Sequence, residues 1–262
     1  MTADKILYRS WLGVLGIFIL AGLYTAMKLF TEGHVLFNAN DVLIWSLPLG
    51  GYVFLALTSS GLTLLASLPL VFGYKEFEPA AKRLVFLAVA TLIGAFINIG
   101  LELGSIFHMI YILLSPNLSS PIWWMGAIYS LELVVLAVKL WKMHLGDWHS
   151  RFSRALGIVS FLCALIAPLM IGSVFGLTES RVTYFGPVMS IYCLLMALLS
   201  GTAVFLIYSM IFGTVAGNHT LFQHASIHDR VSLAFLLLLG VVTLFTLLKI
   251  AIESSTVIPE FL

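Results

Sequence analysis

Seven long runs of apolar residues constrain the fold of this chain most strongly. Each run is long enough for a helix to cross a bilayer, which takes roughly 20 residues. With rough limits, the runs cover residues 10–31, 43–73, 80–113, 120–144, 151–177, 183–214 and 228–254. They are continuous rather than alternating, which favours helices over a membrane barrel. Charged residues make up 10% of the 262 residues, against about 25% in soluble domains. The sequence therefore predicts an all-α membrane protein, with residues 1–262 forming one transmembrane helix bundle.

The basic residues are divided unevenly between the two sets of loops. Cytoplasmic loops hold the excess of Lys and Arg in membrane proteins. One side carries ten of them, which are Lys5, Arg9, Lys75, Lys82, Arg83, Lys139, Lys142, Arg151, Arg154 and Arg230. The other side carries three, which are Lys28, Arg181 and Lys249. This predicts that the N-terminus is inside and the C-terminus outside. The first run is too long for a signal-peptide core and no small-residue cleavage site follows it, so we expect a true span.

Several functional classes conflict with the sequence. A net charge of +1 gives no electrostatic footprint for nucleic acid. Cys163 and Cys193 lie in separate apolar runs, which argues against a disulfide framework or a thiolate-held iron–sulfur cluster. The chain has neither a phosphate-binding GxxxxGK[ST] motif nor a strand-borne GxGxxG. A retinal protein needs a lysine deep in its last helix, whereas Lys249 lies near the outer end of the last run.

Polar residues inside the third run are candidates for function, because ionisable groups are costly within a membrane. Asn98, Glu102 and Ser105 are spaced i, i+4 and i+7, so a continuous helix would place them on one face. A carboxyl group in this position can donate and accept protons. It can also serve only as a hydrogen-bonding partner for a neighbouring helix. We expect Glu102 to carry the proton chemistry.

The fourth run carries a second embedded carboxyl group. Eleven residues separate Glu132 from Pro121, which places Glu132 roughly 16 Å deep, near the midplane. Tyr129 lies three residues earlier on nearly the same helical face. Glu132 and Tyr129 are either a proton relay or a helix-packing pair, and the sequence leaves both open.

The aromatic residues fall into two groups by depth. Trp123, Trp124 and Tyr111 lie near the outer interface, where belts of Trp and Tyr are expected. Tyr52 and Tyr192 lie deeper, in the outer half of their runs and close to the level of Glu102. Each of their hydroxyl groups needs a polar partner at that depth.

Histidines give little support for a metal or haem site. His108 is the one histidine at an embedded position, whereas a transmembrane haem usually needs two axial ligands. His224 and His228 are spaced i, i+4 near the inner surface, so their spacing allows a metal site. Solvated interfacial histidines explain the same spacing more simply. We therefore expect no haem or metal in this chain.

Three segments, in order, resemble the polysulfide-reductase/NrfD-type membrane subunits. Residues 45–55, WSLPLGGYVFL, are similar to that family's WGxxIAxYxFL segment. Residues 101–104, LELG, followed by His108, resemble its DLGxPxR segment. Residues 117–123, NLSSPIW, resemble its NPxSPxxW segment, and residues 192–203, which end in SGTA, are similar to a later helix. The resemblance covers residues 41–210 and leaves residues 10–31 as an extra N-terminal helix before a bundle that extends to about residue 254.

The resemblance implies a membrane partner of iron–sulfur subunits that exchanges electrons with quinones in a prokaryotic cytoplasmic membrane. A menaquinone or ubiquinone would bind in the outer half of the bundle, against Trp45, Tyr52, Asn98 and Tyr192. Glu102 matches the family's acidic position and His108 its basic one, so both are expected at the catalytic centre. The expected partners are a ferredoxin-like iron–sulfur subunit on the periplasmic side and further catalytic or multihaem cytochrome subunits.

The chain departs from the family pattern in three ways. Glu replaces the commoner Asp, and His replaces Arg, which makes the basic position more sensitive to pH. Pro168 stands where some longer members carry a pocket histidine. The seven runs are fewer than the family usually has, which suggests that final helices are missing or supplied differently. Two other functions remain open, a passive anchor and a proton-coupled transporter that uses Glu102 and Glu132.

Overall fold

The architecture comes from a computed structural model. The structure describes residues 3–37, 46–103, 106–178, 185–215 and 225–257. Within these ranges, it describes residues 3–8, 34, 106–109, 212–215, 225–227 and 252–257 by their backbone alone. Trp45, Ser105, Arg181 and His224 fall outside the described residues.

All regular structure in the described residues is helical. The α-helices are α1 (Ala3–Glu32), α2 (Leu47–Leu70), α3 (Glu78–Glu102), α4 (Ile106–Leu114), α5 (Pro121–His144), α6 (Arg151–Gly176), α7 (Val188–Val215) and α8 (Ala225–Val257). Short 3₁₀ turns cover Gly33–Phe37 and Lys75–Phe77. Seven of these helices, all except α4, are long and apolar enough to cross a membrane. The prediction of an all-α polytopic bundle with seven spans is therefore confirmed. The orientation stays a prediction, and "outer" denotes here the end of the bundle at Ser46 and Ser120.

The third apolar run does not form one continuous helix, contrary to the prediction. The helix α3 ends at Glu102, and the separate nine-residue helix α4 begins at Ile106. A single helix over residues 80–113 would be about 50 Å long, far more than the roughly 30 Å hydrocarbon core. Glu102 is thus the last residue of its helix, and His108 lies on another helix. The predicted helix for the stripe therefore ends at Glu102, and its third member, Ser105, lies outside the described residues.

The helix α2 lies at the centre of the bundle. In its most apolar stretch of 18 residues, 61% is buried inside the protein. The same share is 6% for α1 and 11% for α8. It packs against α3, α6 and α7, while α5 packs against α3 and α6. The helix α8 packs on α7, and α1 touches the bundle mainly there. Side chains that line any core site must therefore approach from the helices around α2.

Glycines allow α2 and α7 to cross in backbone contact. A Cβ atom at Gly61 would overlap the carbonyl oxygen of Ala197, and one at Gly201 would overlap the backbone of Gly61. A similar crossing joins α6 to the start of α7, where a Cβ at Gly172 would overlap the backbone of Ser190. Small residues commonly permit this close approach in membrane helices. These crossings fix α7 against the middle of α2 and the outer end of α6.

A buried lysine organises the inner loop between α5 and α6. Lys139 is 1% exposed, and its ammonium group donates to the carbonyl oxygen of Ser153 at 2.9 Å, to the Ser153 hydroxyl at 2.7 Å and to the Trp148 carbonyl oxygen at 3.3 Å. These three acceptors match the three N–H groups of an ammonium ion. The arrangement holds the loop against the inner end of the bundle.

The same loop caps the start of α6. The Ser150 hydroxyl accepts from the Ser153 backbone N–H at 3.1 Å and donates to Asp147 Oδ2 at 2.9 Å. This hydroxyl bond, with the backbone N–H of Ser150 and the ion pair with Lys142 at 3.3 Å, lowers the pKa of Asp147 below its ordinary value. The carboxylate therefore stays ionised to a lower pH than in an unfolded chain, and its contribution to loop stability is lost only as the pH falls through the lowered pKa.

Candidate functional site

A cavity of about 260 Å³ opens between α2, α6 and α7, in the half of the bundle that we call outer. Its walls are almost entirely apolar. They are formed by Leu49, Gly50, Val53, Phe54, Leu57, Phe175, Met189, Tyr192, Cys193, Met196 and Ser200. Tyr192, Cys193 and Ser200 are the three lining side chains with polar atoms. Such a pocket suits a flat, mainly apolar ring that carries few polar atoms.

Tyr192 is held in the cavity wall by α8. Its hydroxyl oxygen lies 3.4 Å from Thr246 Oγ1, and its ring stacks on Phe245 at 5.5 Å between centroids and 24° between planes. The sequence placed Tyr192 in an outer-half site but gave no sign of its contact with α8. Because Tyr192 lines the cavity and also contacts Thr246 and Phe245, it links α8 to the cavity wall.

The predicted residues of α3 lie on another side of α2. Asn98 faces Gly51, where a Cβ atom would lie 2.7 Å from Asn98 Oδ1, so a glycine lets α3 approach here. The Asn98 amide donates to the Gly94 carbonyl oxygen at 2.8 Å. Asn98 is not among the residues that line the cavity. The structure therefore brings Asn98 to the α2–α3 contact and not to the cavity wall.

Glu102 contacts the N-cap residue of the central helix. The Ser46 hydroxyl donates to the Glu102 carboxylate and accepts from the backbone N–H of Leu49 at 3.3 Å. Ser46 is therefore the N-cap of α2, as well as the partner of Glu102. Sequence reasoning missed Ser46, although a Ser followed by Leu-Pro is typical of a helix start. Glu102 is positioned to fix the outer end of α2 against α3.

Tyr52, Tyr129 and Glu132 form a second polar group, between α2 and α5. The rings of Tyr52 and Tyr129 meet edge to face with centroids 6.5 Å apart. Tyr129 and Glu132 are completely buried, and Glu132 Oε2 lies 3.5 Å from the Ser60 hydroxyl oxygen. The Tyr129 hydroxyl and Glu132 Oε1 have no hydrogen-bonding partner within the described part of the chain. A buried polar atom without a partner is costly, so a further hydrogen bond would stabilise either atom.

This buried group adjoins the cavity through shared core residues. Leu57 and Cys193 line the cavity and also pack in the same core cluster as Tyr52 and Tyr129. Tyr52 itself stands between the cavity-lining Gly50 and Val53 in the sequence of α2. Of the two predicted carboxyl groups, Glu132 is therefore the one that the core connects to the cavity. Cys193 and Ser60 were not predicted as site residues.

The structure describes only some of the remaining predicted residues. His108 lies on α4, but its side chain is outside the described ones, as is the whole of Trp45. Among the histidines with described side chains, His228 Nδ1 lies 3.4 Å from the Ser232 hydroxyl. Trp124, at the outer interface, donates from its ring nitrogen to the Leu118 carbonyl oxygen at 2.9 Å. Within the described residues, no three His, Cys, Asp or Glu side chains are grouped closely enough to hold a metal ion.

Comparison with known proteins identifies the family. The model for polysulphide reductase, NrfD, matches residues 34–257, which begin beyond α1 and run to the end of α8. The chain belongs to the NrfD family. The resemblance seen in the sequence is thus confirmed, and it extends past residue 210 to the last helix.

One relative of this NrfD-family chain is described as a candidate membrane subunit of a dimethyl sulfoxide reductase from Halobacterium salinarum. It is 25% identical over 223 residues, which cover 78% of this chain and 51% of the relative. The chain therefore spans about half the length of that relative. No solved structure gives a significant match.

Proposed function

We propose that this chain is the membrane subunit of a respiratory electron-transfer complex and that it binds quinol or quinone in the cavity between α2, α6 and α7. The apolar cavity is the observation that supports this most directly. A quinone head group is a flat ring with two opposed oxygen atoms, and the walls offer apolar contacts for the ring, with Tyr192 and Ser200 among the lining residues. Menaquinone and ubiquinone share this chemistry.

The proposed electron partner lies at the outer end of the bundle. The relative's name describes a membrane subunit of a reductase, and family membership supports a similar division of labour here. We expect a ferredoxin-like iron–sulfur subunit, with further catalytic or multihaem subunits, on the outer side of a prokaryotic cytoplasmic membrane. The cavity is in the outer half, so a docked iron–sulfur cluster would be closer to it than any group on the inner surface.

The proton group of the proposed site is Glu132 rather than Glu102. Glu132 and Tyr129 adjoin the cavity through Tyr52 and Cys193, and each has a buried polar atom without a partner in the described residues. Glu102 bonds to Ser46 at the α2–α3 contact instead. In this account, Glu102 and Asn98 position the outer end of α2, and Tyr192 orients the head group.

Two matched substitutions test this assignment in the assembled complex. Glu132→Gln should reduce inhibitor-sensitive quinol oxidation by about 100-fold, the lower limit expected for losing a general acid or base. Glu102→Gln should leave oxidation within about threefold of wild type, because a Gln side chain can still accept from Ser46. The measurement is quinol oxidation together with a fluorescence-quench titration by a quinoline N-oxide, after both variants are shown to assemble.

The same experiment separates the other candidate functions. Both variants should bind the inhibitor as wild type does, because neither carboxyl group lines the cavity. Loss of oxidation in Glu102→Gln alone would restore Glu102 as the proton group. A wild-type complex that neither binds the inhibitor nor oxidises quinol would contradict the proposal and favour a passive anchor.

A further inference from the structure

Four oxygen-bearing side chains, which we call the oxygen cluster, meet in the buried contact between α2 and α5. Tyr129 and Glu132 are three residues apart on α5, so they share one helical face. Ser60 and Thr63 have the same spacing on α2. Between 0% and 2% of each residue is exposed. The proposed quinol chemistry uses the two residues of α5 but gives no role to the two hydroxyl groups of α2.

The hydroxyl groups of α2 face the carboxyl group of Glu132. The Ser60 hydroxyl oxygen lies 3.5 Å from Glu132 Oε2, and it also faces the Tyr129 hydroxyl. Thr63 faces the same carboxyl group and donates its proton to the Ser59 carbonyl oxygen at 3.0 Å. The Thr63 oxygen therefore turns only lone pairs toward Glu132. Oxygen atoms that present lone pairs to each other repel unless a proton or a cation lies between them.

Two atoms of the oxygen cluster lack a hydrogen-bonding partner within the described part of the chain. They are the Tyr129 hydroxyl oxygen and Glu132 Oε1. Each buried polar atom in this condition costs about 1–3 kcal/mol. A proton on Glu132 binds a single further acceptor, so it leaves part of the cluster without a partner. An occupant that binds several oxygen atoms at once would satisfy the whole cluster.

The spacing of the oxygen atoms suits a bound cation. An O–H···O hydrogen bond is usually about 2.7–2.8 Å long, so the 3.5 Å between the Ser60 hydroxyl and Glu132 Oε2 is long for a direct bond. Oxygen ligands lie about 2.4 Å from Ca²⁺, so two of them at right angles are about 3.4 Å apart. Na⁺ is close to Ca²⁺ in size, whereas K⁺ is larger. The observed spacing therefore fits two ligands of a sodium-sized ion.

The charges around the oxygen cluster favour an occupant with one positive charge. Glu132 supplies one negative charge when it is ionised. The other ionisable groups packed nearby are Tyr52 of α2, Cys163 of α6 and Cys193 of α7, and none of these is a cation. The buried residues of α3 are apolar. One monovalent cation would leave the buried site neutral, whereas a divalent cation would leave an unpaired charge in the core, which is strongly destabilising.

We propose that the oxygen cluster of Glu132, Tyr129, Ser60 and Thr63 is a binding site for one sodium ion between α2 and α5. Carboxylate and hydroxyl oxygens are hard ligands that suit such a cation. The histidine pattern that argues against haem and transition metals does not bear on a site of this kind. The sodium site goes beyond the proposed function and does not depend on it. A carboxylate that holds Na⁺ does not take up a proton at the same time, so bound sodium would block the proposed proton group.

Sodium binding to the purified complex tests the site directly. The complex is dialysed to equilibrium against radioactive sodium, with choline chloride to keep the ionic strength constant. The wild-type complex should bind one more sodium ion per copy of this chain than the Glu132→Gln complex, because glutamine keeps the shape of the side chain but not its charge. Glu102→Gln removes a carboxyl group outside the oxygen cluster and should bind sodium as wild type does. Equal sodium binding by wild type and assembled Glu132→Gln would overturn the inference.

Labelling with dicyclohexylcarbodiimide, which modifies carboxyl groups in their acid form, gives a second readout. Saturating sodium should slow the modification of Glu132 at least about tenfold, as measured by mass spectrometry of its peptide. Potassium at the same concentration should have a much smaller effect. Protection by potassium or choline equal to that by sodium would overturn the inference. Failure of quinol oxidation alone would contradict only the proposed function, because neither readout uses quinol.

Substitutions of the hydroxyl groups show whether the whole cluster binds the ion. Tyr129→Phe removes one ligand and keeps the ring, so protection of Glu132 should need about tenfold more sodium. Ser59→Ala is the matched control on α2, since the Ser59 hydroxyl donates to the Ala88 carbonyl oxygen of α3 at 2.8 Å, away from the oxygen cluster. This control should need the same sodium concentration as wild type. An unchanged sodium requirement in Tyr129→Phe would overturn the role of Tyr129.

Discussion

Replacing Gly50 with leucine is expected to weaken binding of a quinoline N-oxide to the complex by about 100-fold, which is about 2.7 kcal/mol. Gly50 lines the cavity, and a Cβ atom there would meet no other atom within 4 Å. The new side chain can therefore enter the cavity without moving the backbone. Four added carbon atoms would occupy a large part of its 260 Å³. Fluorescence-quench titration measures the change.

Two control variants distinguish filling of the cavity from general damage. Gly240→Leu makes the same change on α8, where a Cβ atom also meets nothing within 4 Å and no cavity residue lies. Gly50→Ala adds a single carbon atom and should weaken binding far less than the leucine. A Gly50→Leu complex that assembles and binds the inhibitor with wild-type affinity would place the quinone site elsewhere.

Gly61→Ala is expected to lower the free energy of unfolding of the bundle by about 3 kcal/mol, the upper range for overpacking a core. The added Cβ atom would overlap the Ala197 carbonyl oxygen, which belongs to the backbone of α7 and cannot rotate away. The helices α2 and α7 would have to separate, and both line the cavity. The loss of stability is measured by unfolding the purified complex in detergent, either with heat or with a denaturant.

The matched control for this variant is Gly22→Ala on α1. A Cβ atom at Gly22 meets nothing within 4 Å, and alanine is the better helix former, so this variant should be as stable as wild type or slightly more stable. Equal stability of the Gly61 and Gly22 variants would show that α2 and α7 do not cross in backbone contact at Gly61.

The seven spans could be predicted because apolar length alone specifies a membrane helix. The break between α3 and α4 was missed, although Glu102, Gly104 and Ser105 interrupt the apolar sequence there and the run is too long for one span. The position of Glu102 at a helix end, rather than inside a span, follows from that break. Comparing the length of the run with the thickness of the hydrocarbon core would have predicted the break.

The position of a residue along its helix was easier to predict than the side of the helix on which it lies. Counting residues placed Glu132 near the midplane, and its side chain is completely buried within the bundle. The same counting put Tyr52 and Tyr192 close to the level of Glu102, and the family resemblance added Asn98 to that site. The structure puts Asn98 and Tyr192 on different sides of α2. Which neighbour faces which side depends on the glycine crossings, and no pattern within a single helix reports those partners.

One missed signal was present in the sequence. Tyr52, Ser60, Thr63 and Ser67 recur at spacings of eight, three and four residues, which is a buried polar stripe on one face of α2. Serine and threonine are common in membrane helices, where they often bond to their own backbone. The stripe therefore gained its meaning only when Glu132 was found opposite Ser60.

Photolabelling with an azidoquinone, followed by mass spectrometry of the peptides, tests the central claim most directly. The complex is illuminated with the labelled quinone alone and with an excess of unlabelled quinone. We expect displaceable label within residues 49–57 of α2 and 189–200 of α7, which together line most of the cavity. Displaceable label confined to the outer end of α3, around Asn98 and Glu102, would contradict this account.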